Sequence, residues 1–340
     1  MSSNVLDLEK NIDKIKGIGP TNLKKLMSGG IITVNALAVL TTTELIEYTG
    51  MGVGTAESAI SQARELIGSG FKSATQLLEN DRSEIKHSTG SAALDQKLQG
   101  GIEGGAITMF SGEKGALKTQ LCKTVAVICA ATYGPVLVLD TEGIWGNNAV
   151  RLVQIAKVRG YDAENVLDNI IIARSYNREH LTTLTNDLLL EVKNRNVKMI
   201  IVDSIISHWR EEFSGRGTLA NRQQTLVSVA GKIKRVGEAY KIPIIFTDQV
   251  QAIVDNPYGP KLQPAGGHVL AHLVTYSALL YKGSKRKGET MDYQTSVIHD
   301  YDMASIPPFK VRIMCTEAGI VDEDGSYPEQ QTLEEMTEDE

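Results

Sequence analysis

The stretch Phe110-Ser111-Gly112-Glu113-Lys114-Gly115-Ala116-Leu117-Lys118-Thr119-Gln120 decides the fold. It lies between a strand-like apolar run, Ala106 to Phe110, and a helix-like run, Leu121 to Ala131. A glycine-containing turn between strand and helix, closed by Lys-Thr, is the setting of a phosphate-binding loop. Backbone N–H groups wrap the phosphates there, the lysine reaches the β- and γ-phosphates, and the hydroxyl faces Mg2+. Gly112, Lys118 and Thr119 fit the pattern G-x-x-x-x-G-K-[ST], but its second glycine is Leu117, which brings a side chain to a turn where backbone approaches the ligand. Taken alone, the stretch also fits a strand-to-helix turn with an incidental Lys-Thr.

Downstream, three further apolar runs of strand length end in polar groups. Val136 to Leu139 runs into Asp140-Thr141-Glu142-Gly143, Met199 to Val202 into Asp203-Ser204, and Ile242 to Phe246 into Thr247-Asp248-Gln249. Helical segments separate them. This alternation implies an α/β core with a mostly parallel sheet covered on both faces, its polar residues gathered at the strand C-termini. A phosphate loop combined with acids at later strand ends is the arrangement of nucleotide hydrolysis. Asp203 can hold Mg2+ directly or through water, and Glu142 can orient or deprotonate the attacking water. Each acid taken singly fits a helix cap equally well.

Length and composition agree with two domains of unequal size: 340 residues, 42% hydrophobic and 22% charged, with no apolar run of about 18 residues and nothing that reads as a signal peptide. The expected location is cytoplasmic. Cys122, Cys129 and Cys315 have no metal-type spacing and read as reduced, buried thiols. The net charge of −6 is misleading as a guide to partners. The segment 322–340 carries nine acids and no Lys or Arg, and removing those nine from 41 acidic residues leaves 32 against 35 basic ones. This acidic segment is expected to be a disordered tail.

Upstream, Gly17-Ile18-Gly19 leads into Thr21 to Met27, and Gly50-Met51-Gly52 into Thr55 to Ile67. The pseudo-repeat resembles the helix-hairpin-helix family, whose glycine turns present N–H groups to DNA phosphates, and Lys24, Lys25 and Arg64 suit that use. A small helical bundle that contacts protein reads equally well from this pattern. After Gly68-Ser69-Gly70 comes Phe71-Lys72-Ser73-Ala74. Phe71 is either a staple for its own domain or an apolar anchor for a neighbouring subunit, which gives a head-to-tail interface.

The order of these parts, with Ser214-Gly215-Arg216-Gly217, Arg222-Gln223-Gln224, Gln249-Val250, Gly266-Gly267-His268 and Ala271-His272, resembles the archaeal RadA branch of the RecA-type recombinases from about Asp13 to Asp322. The resemblance implies a RecA-type P-loop ATPase core with a small all-α helix-hairpin-helix domain. Its divisions are 1–67 for the N-terminal domain, 68–85 for a linker with the oligomerisation motif, 86–321 for the core and 322–340 for the tail. It implies a DNA-dependent ATPase that polymerises on single-stranded DNA, pairs it with a duplex and exchanges strands in DNA repair. Lys118, Glu142 and Gln249 become catalytic residues. Gly112, Glu113, Lys114, Gly115, Ala116, Leu117, Lys118, Thr119 and Gln120 hold ATP with Asp203, and Asp302 and Pro307 cap it. Thr119 and Asp203 face Mg2+.

For DNA the resemblance nominates a first loop with Arg216 and Arg222, a second from Gln251 to Gln263 with Tyr258 and Lys261, and His268 as the link to the γ-phosphate. Each loop alone also reads as plain surface. A zinc site at His268 and His272 lacks a third ligand nearby. Phe71 and Ala74 become the contact that builds a filament or ring. The chain departs from the family pattern at Leu117, at Trp145-Gly146-Asn147-Asn148 in place of a Phe-Arg-Pro-Glu-like run, at Asp248 in place of Asn, and at Pro308 and Lys310 in place of acids. These departures bear on turnover and assembly, and keep open a catalytically weakened DNA-binding paralogue that regulates recombinase filaments.

Overall fold

The computed structural model describes residues 12, 15–68, 73–75, 86–212, 219–252, 262–283, 294–300 and 309–328, leaving aside the side chains of 211, 212, 219–221, 252, 268 and 294–300. The chain opens with helices α1 (Pro20–Ser28), α2 (Val34–Ala38), α3 (Thr42–Thr49) and α4 (Val53–Leu66). The core follows with β1 (Lys86–His87), α5 (Ala92–Lys97), β2 (Ile102–Glu103), β3 (Ile107–Gly112), α6 (Lys118–Thr132), β4 (Val136–Asp140), α7 (Ala149–Val158), α8 (Ala163–Asp168) and β5 (Ile170–Arg174). Next come α9 (Arg178–Asn186), α10 (Leu188–Arg195), β6 (Met199–Asp203), α11 (Ser207–Glu212), α12 (Leu219–Tyr240) and β7 (Ile244–Asp248). The last elements are β8 (Val250–Ala252), β9 (Leu262–Pro264), α13 (Gly267–Ala271), β10 (Tyr276–Lys282), β11 (Gln294–Asp300), β12 (Lys310–Thr316) and β13 (Gly319–Asp322).

Among the described residues, nine strands form the main sheet in the order β13-β12-β11-β10-β3-β7-β6-β4-β5. From β10 to β5 every neighbour is parallel. The remaining three add as an antiparallel meander. Strands β3, β4, β6 and β7 bury every residue, which is why they read as unbroken apolar runs: helices cover both faces, so neither side alternates with polar residues. The P-loop helix α6 is likewise buried from Leu121 through Ala130, including Cys122 and Cys129. Cys315 is only half-buried, contrary to the expectation for all three thiols.

Register places the chemistry. Asp140 and Asp203 are direct partners across β4 and β6, and Ser111 faces Asp248 across β3 and β7. The P-loop strand therefore runs two residues beyond the expected Phe110, since Ser111 and Gly112 still pair with β10. Gly112 has no substitute, because a Cβ there would come within 2.6 Å of the Leu280 carbonyl oxygen.

The helix-hairpin-helix unit has its hairpins at Gly17-Ile18-Gly19 and Gly50-Met51-Gly52, anchored by the buried Ile18 and Met51. Helices α1 and α4 start one and two residues earlier than expected, and neither has a side-chain cap. The unit packs on the α/β core rather than standing apart. Gly30 lies against the Leu190 backbone, where a Cβ would meet Leu190 Cα at 2.5 Å. Tyr48 donates to the Asn186 carbonyl at 2.9 Å, and Glu44 pairs with Arg235.

The folded core also continues past the expected boundary at 321. Asp322 closes β13 and accepts from Ser91 Oγ and, at 3.2 Å, from the Ala93 amide. At the two ends of the loop expected over 251–263, β8 and β9 pair as an antiparallel stem.

Candidate nucleotide site

The six parallel strands end in a row of groups on one edge of the sheet, and the P-loop closes that row. Leu117 is the residue on which the turn pivots. Its backbone is left-handed, φ 71° and ψ 8°, the conformation that the missing glycine would adopt freely. Its side chain, however, is 5% exposed and belongs to the same apolar cluster as Phe110, Ala116 and Leu121. The expected crowding of the cradle by this side chain is therefore absent; what remains is the strained backbone.

Lys118 opens α6 and folds back over the loop, donating to the carbonyls of Gly112 at 2.7 Å and Glu113 at 2.9 Å. Burial lowers its pKa, while Glu142, Asp203 and Asp248 pull the other way. An ammonium held at a helix N-terminus beside three carboxylates is suited to a polyanion with its divalent cation. Glu113, Lys114 and Gly115 are exposed, Ala116 is buried, and Thr119 and Gln120 are half-buried. Across the edge, Gln249 Nε2 donates to Glu142 Oε1 at 3.2 Å, so two of the nominated catalytic residues meet. Burial, and after it the charge of Asp203, raise the Glu142 pKa, which makes this carboxylate a better proton acceptor than a free one.

Asp203 is 1% exposed. Its Oδ1 accepts from Thr247 Oγ1 at 2.5 Å and its Oδ2 from the indole Nε1 of Trp145 at 2.9 Å. Its neighbour Asp140 accepts the backbone N–H groups of Gly143 at 2.7 Å, Ile144 at 3.3 Å and Trp145 at 3.1 Å, which fixes the loop that carries Glu142. Asp248 is fully buried; its Oδ2 accepts from the Gly266 amide at 2.9 Å, and burial pushes its pKa up to about 6. Ser111 Oγ, Ser204 Oγ and Asp248 Oδ1 are buried there without a hydrogen-bond partner among the described residues. Unmet hydrogen-bonding capacity at this edge, together with the Lys118 ammonium, is what a nucleotide with Mg2+ and ordered water would satisfy.

Two residues at this edge escaped the sequence reading. Arg210, exposed on α11, donates through Nη1 to Gln249 Oε1. Arg151 on α7 donates to Gln120 Oε1 at 3.0 Å and is tied to the Thr316 carbonyl, so it orients the last P-loop residue. No motif marks either; only side-chain direction in the folded core brings them in.

Arg222 lies in the first turn of α12, directly after the first loop, and is half-buried. Ala74 is exposed. Phe71, Arg216, Tyr258, Lys261, Asp302 and Pro307 lie outside the described residues, as does the side chain of His268. Among the described residues no cluster of three or more His, Cys, Asp or Glu could hold a metal by itself, and no helix is long and apolar enough to cross a membrane.

Comparison with known proteins agrees with both parts of the architecture. Residues 81–323 match the Rad51 family, and residues 9–65 match the SAM-like helix-hairpin-helix tandem family. The DNA repair and recombination protein RadA of Aeropyrum pernix is 36% identical over 291 residues, which cover 83% of this chain and 91% of the relative. The P-loop at the C-terminal ends of six parallel strands, the helix-hairpin-helix unit ahead of it and these matches lead to one assignment: the chain belongs to the Rad51 family, as a divergent member of the RadA branch of the RecA-type recombinases.

Proposed function

We propose that this protein is an ATP-dependent DNA recombinase that forms a filament on single-stranded DNA and promotes homologous pairing and strand exchange. The observation that carries this reading is the meeting of Lys118, Glu142, Asp203 and Gln249 at one sheet edge, with Gln249 in contact with both Glu142 and Arg210. Lys118 binds the phosphates in a cradle formed by 112–120, and Glu142 takes the proton of the attacking water. Thr119 and Asp203 would hold Mg2+, which would neutralise charge developing on the phosphate oxygens. Gln249 lies between the water-activating Glu142 and Arg210 at the foot of the first DNA loop, so DNA held by Arg216 and Arg222 reaches the hydrolytic residue through two hydrogen bonds. Tyr258, Lys261 and His268 serve the second loop in the same way. Asp302 and Pro307 cap the nucleotide of an adjoining protomer, which Phe71 and Ala74 recruit.

The helix-hairpin-helix unit, assigned to residues 1–67, contacts duplex DNA. The linker is 68–85, and the core runs from 86 to Asp322, one residue beyond the expected 86–321. The site of action is the nucleoid in the cytoplasm. ATP hydrolysis measured with and without single-stranded DNA tests the proposal. Turnover stimulated by DNA is expected. DNA binding without turnover would favour the second reading, a weakened paralogue that regulates recombinase filaments, to which the occupied oxygens of Asp203 and the buried carboxyl of Asp248 point.

A further inference from the structure

The run Trp145-Gly146-Asn147-Asn148 stands in place of the expected Phe-Arg-Pro-Glu-like run, and its first residue touches the acid nominated to hold Mg2+. Trp145 is fully buried. Its backbone N–H binds Asp140 at 3.1 Å while its indole N–H binds Asp203 at 2.9 Å. Asp140 and Asp203 are register partners on adjacent strands, so one residue spans two neighbouring carboxylates. The spanned loop, Thr141 to Ile144, is the one that carries Glu142. Lys123 holds the arrangement from behind: its ammonium lies 5.6 Å from the indole centroid and donates to the Ile144 carbonyl at 3.4 Å. A phenyl ring at position 145 could fill the same space without supplying the N–H.

We infer that Trp145 is a positioning residue whose indole N–H holds Asp203 back from direct ligation of the divalent ion and so sets how tightly Mg2+ is held with the nucleotide. Each carboxylate oxygen has two lone-pair directions; on Asp203 the Thr247 hydroxyl takes one on Oδ1 and the Trp145 indole one on Oδ2, so a ligand at the remaining directions shares the carboxylate charge with two donors. Binding through an ordered water leaves both donors in place, whereas direct ligation competes with them for the carboxylate charge. The inference rests on the proposed nucleotide site and deepens it.

The test measures the Mg2+ concentration at half-saturation for binding of a fluorescent ATP analogue to the full chain, wild type against Trp145→Phe. Freed of the indole, Asp203 is expected to bind more tightly and to lower that concentration about tenfold, the scale of a hydrogen bond to a charged acceptor. An unchanged half-saturation in a variant that binds the analogue overturns the role of Trp145 and leaves the nucleotide site standing. Failure of the wild type to bind the analogue at any Mg2+ concentration overturns the site and the inference together.

A second measurement needs no core variant to fold. The chain has two tryptophans, Trp145 and Trp209, and the Trp209 indole donates to Thr225 Oγ1 at 2.9 Å, away from Asp203. In 15N-labelled wild type bound to ATP, adding Mg2+ is expected to move one of the two indole N–H resonances, and assignment by Trp209→Phe identifies it as that of Trp145. Two unmoved resonances overturn the inference.

Discussion

Replacing Leu117 by alanine and by glycine separates two energies that oppose each other at one residue. The left-handed backbone at φ 71° costs an L-residue roughly 1–2 kcal/mol, and glycine almost nothing. The buried isobutyl group, 5% exposed among Phe110, Ala116 and Leu121, contributes in the other direction. Truncating such a leucine costs about 2–5 kcal/mol, the spread reflecting how far the site collapses. Leu117→Ala loses the packing and keeps the strained φ, so the full 2–5 kcal/mol is expected. Leu117→Gly loses the packing but releases the strain, so it is expected to be the more stable of the two by about 1–2 kcal/mol. This reverses the order at an ordinary helical position, where glycine is worse than alanine by about 1 kcal/mol.

Urea unfolding of the three proteins without nucleotide measures the order. Since the side chain points away from the cradle, ATP affinity of the glycine variant is expected within about threefold of wild type, less than 1 kcal/mol. An alanine variant as stable as the glycine variant, or more stable, would refute the reasoning. It would mean that the backbone of residue 117 is not held at positive φ in solution.

Asp248 predicts a pH dependence. Its carboxyl, held by burial at about 6 against 3.8 in the unfolded chain, binds a proton more readily when folded; the folded state therefore loses stability as pH rises from about 4 to about 6 and stays penalised above. Lys118 and Arg210 face it and oppose the shift. Asp248→Asn is expected to raise stability at pH 8 by up to about 3 kcal/mol, with the gain fading towards pH 4; equal gains at pH 8 and pH 4 in urea midpoints would contradict this. Alanine at Arg216 or Arg222 is expected to weaken binding to single-stranded DNA irrespective of sequence and to lower the salt slope by roughly 0.7 per residue, as fluorescence anisotropy at several salt concentrations would show. Wild-type affinity and slope in both variants would move the DNA site elsewhere. Phe71→Glu is expected to reduce ATP- and DNA-dependent light scattering to that of small species, because a Phe side chain buried in a neighbour contributes about 1.5–3 kcal/mol per contact. Wild-type-sized assemblies from the folded variant would make Phe71 a staple within its own domain.

The parallel sheet was legible because burial on both faces leaves only one kind of sequence, and Val136–Asp140, Met199–Asp203 and Ile244–Asp248 write it with a polar residue at the end where a site must lie. Lys118, Glu142 and Asp203 could be nominated because strand ends and a helix start fix their positions to within a turn, whereas Gln249 is nominated only through the family resemblance. Arg210 and Arg151 could not, since both reach the site across tertiary gaps that neither periodicity nor motif spacing encodes. Leu117 shows the same division within one residue: the sequence locates the turn, but whether its side chain meets the phosphates or the core depends on the direction of one Cα–Cβ bond. The departures at Trp145 and Asp248 make the point most sharply. Both residues are buried, and both leave the strand register intact, so the fold accommodates them. What they alter is which atoms near Asp203 donate, accept or carry charge. Fold is an area property spread over dozens of apolar side chains, whereas turnover depends on a few atoms in low dielectric. A chain can therefore keep the architecture of its family while the atoms around its site differ in a few buried donors and acceptors.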